Sequence, residues 1–117
     1  MTNEIFKKHN LFFNRTSDWF PMSIENLNVR GKFLEANSVT IIWENAVFNP
    51  ESKPGIRIEC SEDGRSTTFM KSLNIDSESN TNDVLTLVVT QLFKYIRFIY
   101  SAGSAESGNV SIFLNYR

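Results

Sequence analysis

The stretch from Val110 to Tyr116 alternates in side-chain character, so that Val110, Ile112, Leu114 and Tyr116 fall on one side of an extended chain. Residues 95–100 repeat this alternation, with apolar side chains at every even position. A period of two is the pattern of a β-strand that buries one face, whereas a helix buries positions three and four apart. The C-terminal part of the chain is therefore constrained to form sheet.

Further segments of the same kind precede these two. Alternation or a high content of β-branched residues predicts strands at residues 39–43, 56–60, 66–71 and 84–90, with shorter ones at 11–13 and 19–24. Prolines and a glycine interrupt the chain at residues 49–55, and Gly64 allows a tight turn at residues 62–65. The small, polar residues 101–108 predict the loop of a β-hairpin.

About eight short strands at this spacing are typical of an all-β fold. We predict a single antiparallel two-sheet β-sandwich, either jelly-roll-like or Ig-like. A helix from Val84 to Tyr100 is the alternative, because several apolar residues there also fit helical spacing. The β-branched content and the alternation after Phe93 favour strands. The residues predicted to be buried are Ile41, Trp43, Ile58, Phe98, Ile112 and Leu114.

The chain has 117 residues, the length of one ordinary domain. Residues 1–10 have no place in the strand pattern and are predicted to form an N-terminal arm, so that residues 11–117 form the sandwich. Residues 72–83 are rich in Ser, Thr and Asn and predict a long exposed loop. Residues 25–37 show no readable pattern.

The net charge of the chain is −1. Binding to nucleic acid requires concentrated positive charge, so we expect no nucleic-acid partner. No apolar run approaches the ~20 residues of a membrane helix, and the N-terminus lacks the apolar stretch of a signal peptide. These features predict a soluble protein that is made in a cytoplasm and has no membrane partner. The single cysteine excludes an intrachain disulfide.

Side chains suited to catalysis are scarce. The only histidine, His9, falls in the predicted arm and is expected to be solvated, while Cys60 lies on an apolar strand face and is expected to be a buried, inert thiol. One Cys and one His cannot assemble a zinc site. The acidic residues form two clusters in the sequence, one at residues 59, 62 and 63 and one at residues 76, 78 and 83. Neither cluster has the spacing of a calcium-binding loop, and neither singles out an acid and a base for glycoside hydrolysis. Both are expected to be solvated loop charges. We predict a non-enzymatic protein without catalytic, cofactor-binding or metal-binding residues.

Aromatic residues are the other unusual feature. Ten phenylalanines, two tryptophans and three tyrosines exceed what one small core needs, and surplus aromatics are typical of interfaces. Tyr95 and Phe113 fall on the faces opposite the predicted core residues, and Ile5 and Phe6 lie in the predicted arm. These four residues are the candidate interface. On the same face as Tyr95, Arg97 is positioned to pair with an acid such as Glu59 across the sheet.

Several short motifs follow one another in a familiar order. They are residues 38–45 (SVTIIWEN), 55–64 (GIRIECSEDG), 93–100 (FKYIRFIY) and 108–114 (GNVSIFL). This order resembles small β-sandwich proteins of tailed bacteriophages, in which a Ser-x-Asp-Gly turn joins two strands and a Tyr-Ile-Arg-x-x-Tyr strand leads through a Gly/Ser loop to the last strand. Residues 16–19 (TSDW) also resemble the opening of such domains. Those proteins often have Trp after the Asp-Gly turn, where this chain has Phe69.

The resemblance implies a virion structural protein, either a capsid decoration or auxiliary protein or a head or tail accessory subunit. Such a protein would bind other virion proteins, would be a homo-oligomer or be present in many copies, and would reside in the virion. The alternative is a carbohydrate-binding β-sandwich module for attachment to the host surface, whose partner would be a glycan.

Overall fold

The computed structural model describes residues 1–76 and 81–117, and these residues are almost entirely strand and loop. The strands are β1 (Thr2–Asn10), β2 (Arg15–Thr16), β3 (Phe20–Pro21), β4 (Ser23–Glu25), β5 (Phe33–Val47), β6 (Gly55–Ser61), β7 (Phe69–Asn74), β8 (Thr81–Val88), β9 (Tyr95–Ser101) and β10 (Ser107–Tyr116). One 3₁₀ turn, Pro50–Ser52, is the only helical element in the described part. The prediction of strands rather than a helix from Val84 to Tyr100 is confirmed.

The strands form two antiparallel sheets that pack face to face. Sheet A has the order β1-β10-β5-β8, with β4 added beside one end of the long strand β5. Sheet B has the order β2-β9-β6-β7, with β3 pairing on the same edge of β9 as β2. The predicted two-sheet β-sandwich is confirmed. The chain crosses between the sheets at β1–β2, β3–β4, β5–β6, β7–β8, β8–β9 and β9–β10, which is the wrapping of a jelly roll rather than of an Ig domain.

The predicted hairpin between residues 95–100 and 110–116 is wrong, because β9 belongs to sheet B and β10 to sheet A. Hydrogen bonds to other parts of the chain hold the connecting loop, and it does not form the tight reversal of a hairpin. The hydroxyl of Ser104 donates to the carbonyl of Ser52 at 2.8 Å, and the backbone N–H of Ala102 donates to Asn14 Oδ1 at 2.8 Å. Ala102 and Ala105 are both buried, so this loop crosses from one sheet to the other at one end of the core.

The core lies between the two sheets and consists of every second side chain of the central strands. All six residues predicted to be buried are buried: Ile41, Trp43, Ile58, Phe98, Ile112 and Leu114. The buried hydroxyl of Tyr100 donates to the carbonyl of Leu11 at 2.6 Å, which ties sheet B to the turn after β1.

The prediction of an N-terminal arm at residues 1–10 is wrong. Strand β1 pairs along its length with β10, from Thr2 opposite Asn115 to Asn10 opposite Asn109. The pairing is irregular between Glu4 and His9, and these bulges conceal the period of two in the sequence.

Several boundaries also differ from prediction. Residues 11–13 form a turn instead of a strand, the segment 19–24 is divided into β3 and β4, and the strand expected at 66–71 is β7, which begins and ends three residues later. The hairpin closed by Asp63 and Gly64 is present, with Gly64 at φ +71°. The loop expected at residues 72–83 includes the end of β7 and the start of β8, and its residues 77–80 lie outside the described part.

Candidate protein-binding face

Two of the four predicted interface residues lie in the core of the chain itself. Phe6 is fully buried and Ile5 is nearly so. A register shift between Glu4 and Phe6 marks a bulge in β1, and a bulge allows consecutive side chains to point inward. Ile5 and Phe6 are therefore unavailable to a partner, which corrects the expectation.

The other two predicted interface residues, Tyr95 and Phe113, lie on opposite sides of the sandwich. Tyr95 is on the outer face of sheet B, where its ring packs near Gly64, and Phe113 is on the outer face of sheet A. Both are partly exposed. The structure therefore divides the predicted interface into two separate surfaces.

The outer face of strands β10, β5 and β8 in sheet A is a surface that we call the Phe113 face. Phe113 on β10 lies opposite Thr40 on β5, which in turn lies opposite Thr86 on β8. The two neighbouring rows are Ser111–Ile42–Val84 on one side and Asn115–Ser38–Val88 on the other. The face comprises Ser38, Thr40, Ile42, Val84, Thr86, Val88, Ser111, Phe113 and Asn115.

The Phe113 face carries exposed apolar side chains and no charge at its centre. Val84 is 62% exposed and Val88 72% exposed. No charged residue occurs in the strand segments 38–42, 84–88 and 111–115, although Glu4 on β1 lies directly opposite Phe113 and Glu44 follows on β5. Exposed apolar side chains on a surface with few charges are typical of a protein-binding site.

Side-chain hydrogen bonds of Asn115 fix the arrangement of the part of this face around Ser38 and Thr40. Its amide nitrogen donates to the hydroxyls of Ser38 at 3.0 Å and Thr40 at 3.1 Å. Its amide oxygen accepts from the hydroxyl of Thr2 at 3.0 Å. A surface held by cross-strand hydrogen bonds loses little conformational entropy when a partner binds.

The outer face of sheet B has the opposite character, because it carries a buried carboxylate between two arginines. Glu59 Oε1 is 2.7 Å from Arg97 Nε and 2.6 Å from Arg97 Nη2, and Glu59 Oε2 is 3.1 Å from Arg57 Nε. The guanidinium of Arg97 also lies over the ring of Trp19, 4.4 Å from its centre. The predicted pairing of Arg97 with Glu59 is confirmed, and Glu59 is not the solvated loop charge that was the expectation for its group.

Burial alone would raise the pKa of Glu59, but its hydrogen bonds with Arg97 and Thr67 and the charges of Arg97 and Arg57 hold the pKa below its usual value. Glu59 is thus ionised at neutral pH. Glu59 on β6 lies directly opposite Arg97 on β9, so this buried pair links the two neighbouring strands and favours their register.

The carboxylate of Asp63 also accepts hydrogen bonds from its own part of the chain. Its Oδ1 accepts from the backbone N–H groups of Arg65 and Ser66, both at 2.8 Å, and from the hydroxyl of Ser61 at 2.9 Å. The backbone N–H of Ser66 is the largest cause that lowers the pKa of Asp63. This carboxylate therefore stabilises the turn between β6 and β7.

The only histidine is not solvated as expected. The ring of His9 is half-buried against the rings of Phe6 and Tyr100, and its Nε2 lies 2.6 Å from the carbonyl of Phe13. Within residues 1–76 and 81–117, no three His, Cys, Asp or Glu side chains are close enough to hold a metal ion. Of the acidic residues 76, 78 and 83, Glu78 lies outside the described part.

A narrow apolar cleft of about 190 Å³ opens between the edge strands β7 and β8. Phe69 and Phe93, whose rings stack at 6.0 Å, lie at its rim, and Leu87 forms part of one wall. Cys60 forms part of its lining, and burial raises the pKa of this thiol to about 11. The expected buried thiol is confirmed, and Cys60 is protonated at neutral pH.

No protein-family model matches this chain, and no curated protein is significantly similar to it. In the described residues, no helix has the length and apolar character needed to cross a membrane.

The sequence indicated that Phe113 lies on an outer face and that residues 84–90 form a strand, but it did not place Val84, Thr86 and Val88 on the same face as Phe113. The alternation of Val84, Thr86 and Val88 was visible as a strand, yet nothing in the pattern told which of its two faces is exposed. A run of β-branched residues without charge is the signal that points to this surface.

Proposed function

We propose that this chain is a non-enzymatic structural subunit of a tailed-bacteriophage particle, which binds other virion proteins through the Phe113 face. The observation that carries the proposal is the outer face of β10, β5 and β8, which exposes Val84 and Val88, carries the partly exposed ring of Phe113 and has no charged residue in the segments 38–42, 84–88 and 111–115. The resemblance of the strand motifs to phage sandwich proteins supports the virion setting. The jelly-roll arrangement is compatible with it, because viral capsid domains are among the many proteins with this architecture.

We expect the binding energy to come mainly from burial of apolar surface, since the net charge of −1 provides no strong electrostatic attraction. Phe113 has the largest side chain of the face and its only aromatic ring, so it is the natural anchor. Truncation of an aromatic anchor usually weakens binding by about 2 kcal/mol or more. Phe113→Ser should therefore bind the particle at least about tenfold more weakly than the unchanged chain.

The test measures binding of the purified protein to virus particles that were assembled without it. Tyr95→Ser is the matched control, because it removes a partly exposed aromatic from the opposite face. Unchanged binding of a folded Phe113→Ser protein would place the interface elsewhere. An unmodified protein that binds no virion component would exclude the proposed role.

Carbohydrate binding remains the second candidate, and it has a different site. Trp19 and Arg97 bring an aromatic ring and hydrogen-bond donors together on the outer face of sheet B. Aromatic rings and such polar groups are the usual contacts of a bound sugar. Glycan-dependent NMR shifts that centre on sheet B and disappear in Trp19→Ala would favour this function over the first.

A further inference from the structure

The four sheet edges of the sandwich differ in how they are protected against pairing with another chain. Strand β1 is bulged and carries Lys7 and Lys8, the edge formed by β2 and β3 is broken into two-residue pieces and contains Pro21, and β7 carries Lys71. Bulges, lysines, prolines and short strands all discourage edge pairing. The segment Val84–Val88 of β8 has none of these features.

The backbone hydrogen bonds of β8 show which groups point outward. The N–H of Val89 donates to the carbonyl of Asn37 at 2.8 Å, so residue 89 faces β5. The register between β8 and β5 is regular from Val88 to Val84, so residues 87 and 85 face β5 as well. The residues whose N–H and C=O groups point away from the sheet are Val84, Thr86 and Val88. The N–H of Val84 donates to the carboxylate of the adjacent Asp83 at 2.9 Å.

The sequence of this segment is a palindrome, Val84-Leu85-Thr86-Leu87-Val88. When a strand pairs antiparallel with a second copy of itself, a two-fold axis passes through the central residue. An axis at Thr86 would place Thr86 opposite Thr86 of the second copy, Leu85 opposite Leu87, and Val84 opposite Val88. Every residue would then meet one of its own kind, and Val–Val and Thr–Thr pairs are favourable across antiparallel strands.

We propose that two copies of this chain pair through β8, antiparallel and centred on Thr86. The outward residues are 84, 86 and 88, so Thr86 would exchange two hydrogen bonds with its counterpart and each Val84 would exchange two with the Val88 opposite, about six in total. Sheet A of each copy would become one half of a continuous eight-stranded sheet, four strands from each copy. A two-fold axis normal to the sheet leaves the Phe113 faces of both copies on the same side.

A second copy of the chain is the expected partner, because a two-fold interface must be self-complementary. The segment Val84–Val88 is self-complementary in its sequence, in its lack of charge and in the positions of its outward N–H and C=O groups. The inference does not rest on the proposed virion role or on Phe113. An edge pairing of this length buries less area than a standard interface, so the dimer is expected at protein concentrations towards the millimolar range.

The test measures the mass of the full chain by light scattering or sedimentation over a wide concentration range. The unmodified chain should become dimeric as concentration rises. Thr86→Lys and Thr86→Glu should each remain monomeric, because the axis would set two like charges directly opposite each other. Thr86 is exposed, so both single variants should keep the fold, which circular dichroism checks.

An equal mixture of Thr86→Lys and Thr86→Glu should restore the dimer, because Lys then lies opposite Glu. Ser72→Lys, an exposed position on the edge strand β7, is the matched control and should dimerise like the unmodified chain. A monomer at all concentrations, dimerisation of Thr86→Lys alone, or a mixture that stays monomeric would each overturn the proposal. Phe113→Ser should dimerise normally, so failure of the particle-binding face and failure of this pairing are distinguishable.

Discussion

Phe98 lies on β9 of sheet B, and its side chain is fully buried in the core. Phe98→Ala should lower the free energy of unfolding by about 3–5 kcal/mol, because it removes a buried ring and leaves a cavity. Urea denaturation measures the change. Phe33→Ala is the control for the same chemical change at an exposed position, and should alter stability by about 0.5 kcal/mol or less. Equal losses for the two variants would contradict the assigned core.

Glu59 predicts a specific dependence of stability on pH. Its pKa is lower in the folded chain than in the unfolded chain, where an ordinary glutamate titrates near pH ~4.3. The stabilisation is therefore fully present above that value and is lost as the pH falls through the lower, folded pKa. Glu59→Gln should be less stable at neutral pH and should lose less stability on acidification to about pH 3. Glu62→Gln, in the exposed turn after β6, is the control and should follow the unmodified chain.

At the scale of elements, the loop between β9 and β10 depends on Gly103. Its φ is +56°, and a Cβ at this position would lie 2.7 Å from the carbonyl oxygen of Ser52 and 2.8 Å from that of Lys53. Gly31 also has a positive φ, +79°, but a Cβ there would meet nothing within 4 Å. Gly103→Ala should therefore lower the free energy of unfolding by at least about 1 kcal/mol more than Gly31→Ala does. Both substitutions place an alanine in the left-handed backbone conformation, but only the Cβ at position 103 would also clash with backbone atoms. Thermal denaturation of the two variants provides the comparison, and equal effects would mean that the loop shifts freely.

The same loop explains why the connection was predicted wrongly. Two alternating strands joined by small residues and glycines match a hairpin, and the local sequence contains no information on which sheet the second strand joins. The choice depends on partners that are distant in sequence: Asn14 and Ser52 bind the loop, and β5 takes β10 as its neighbour.

At the scale of the whole molecule, the first and last strands complete the same sheet. Thr2 pairs with Asn115, and the N–H of Tyr116 donates to the carbonyl of Met1 at 2.8 Å. Deletion of residues 1–10 removes the buried Phe6 and uncovers β10, so we expect the shortened chain to lose cooperative unfolding and the dispersed NMR spectrum of a folded domain. Lys7→Ala, at an exposed position of β1, should leave both unchanged. A shortened chain that unfolds as cooperatively as the full one would show that β1 is dispensable.

The all-β class, the two-sheet sandwich and the buried face of each central strand could be predicted from the sequence, because a period of two is a local property that burial of one face imposes on any strand. The outward position of Arg97 on an alternating strand also predicted that it pairs with an acid such as Glu59, and the adjacency of β6 and β9 decides that the acid is Glu59. Tertiary structure alone decided that Ile5 and Phe6 belong to the core, because bulges in β1 break the alternation by which an edge strand is recognised. It also decided that Phe113 and Tyr95 lie on opposite surfaces and that β8 is an unprotected edge, because these depend on the order of strands within each sheet, which is set by contacts between residues far apart in the chain.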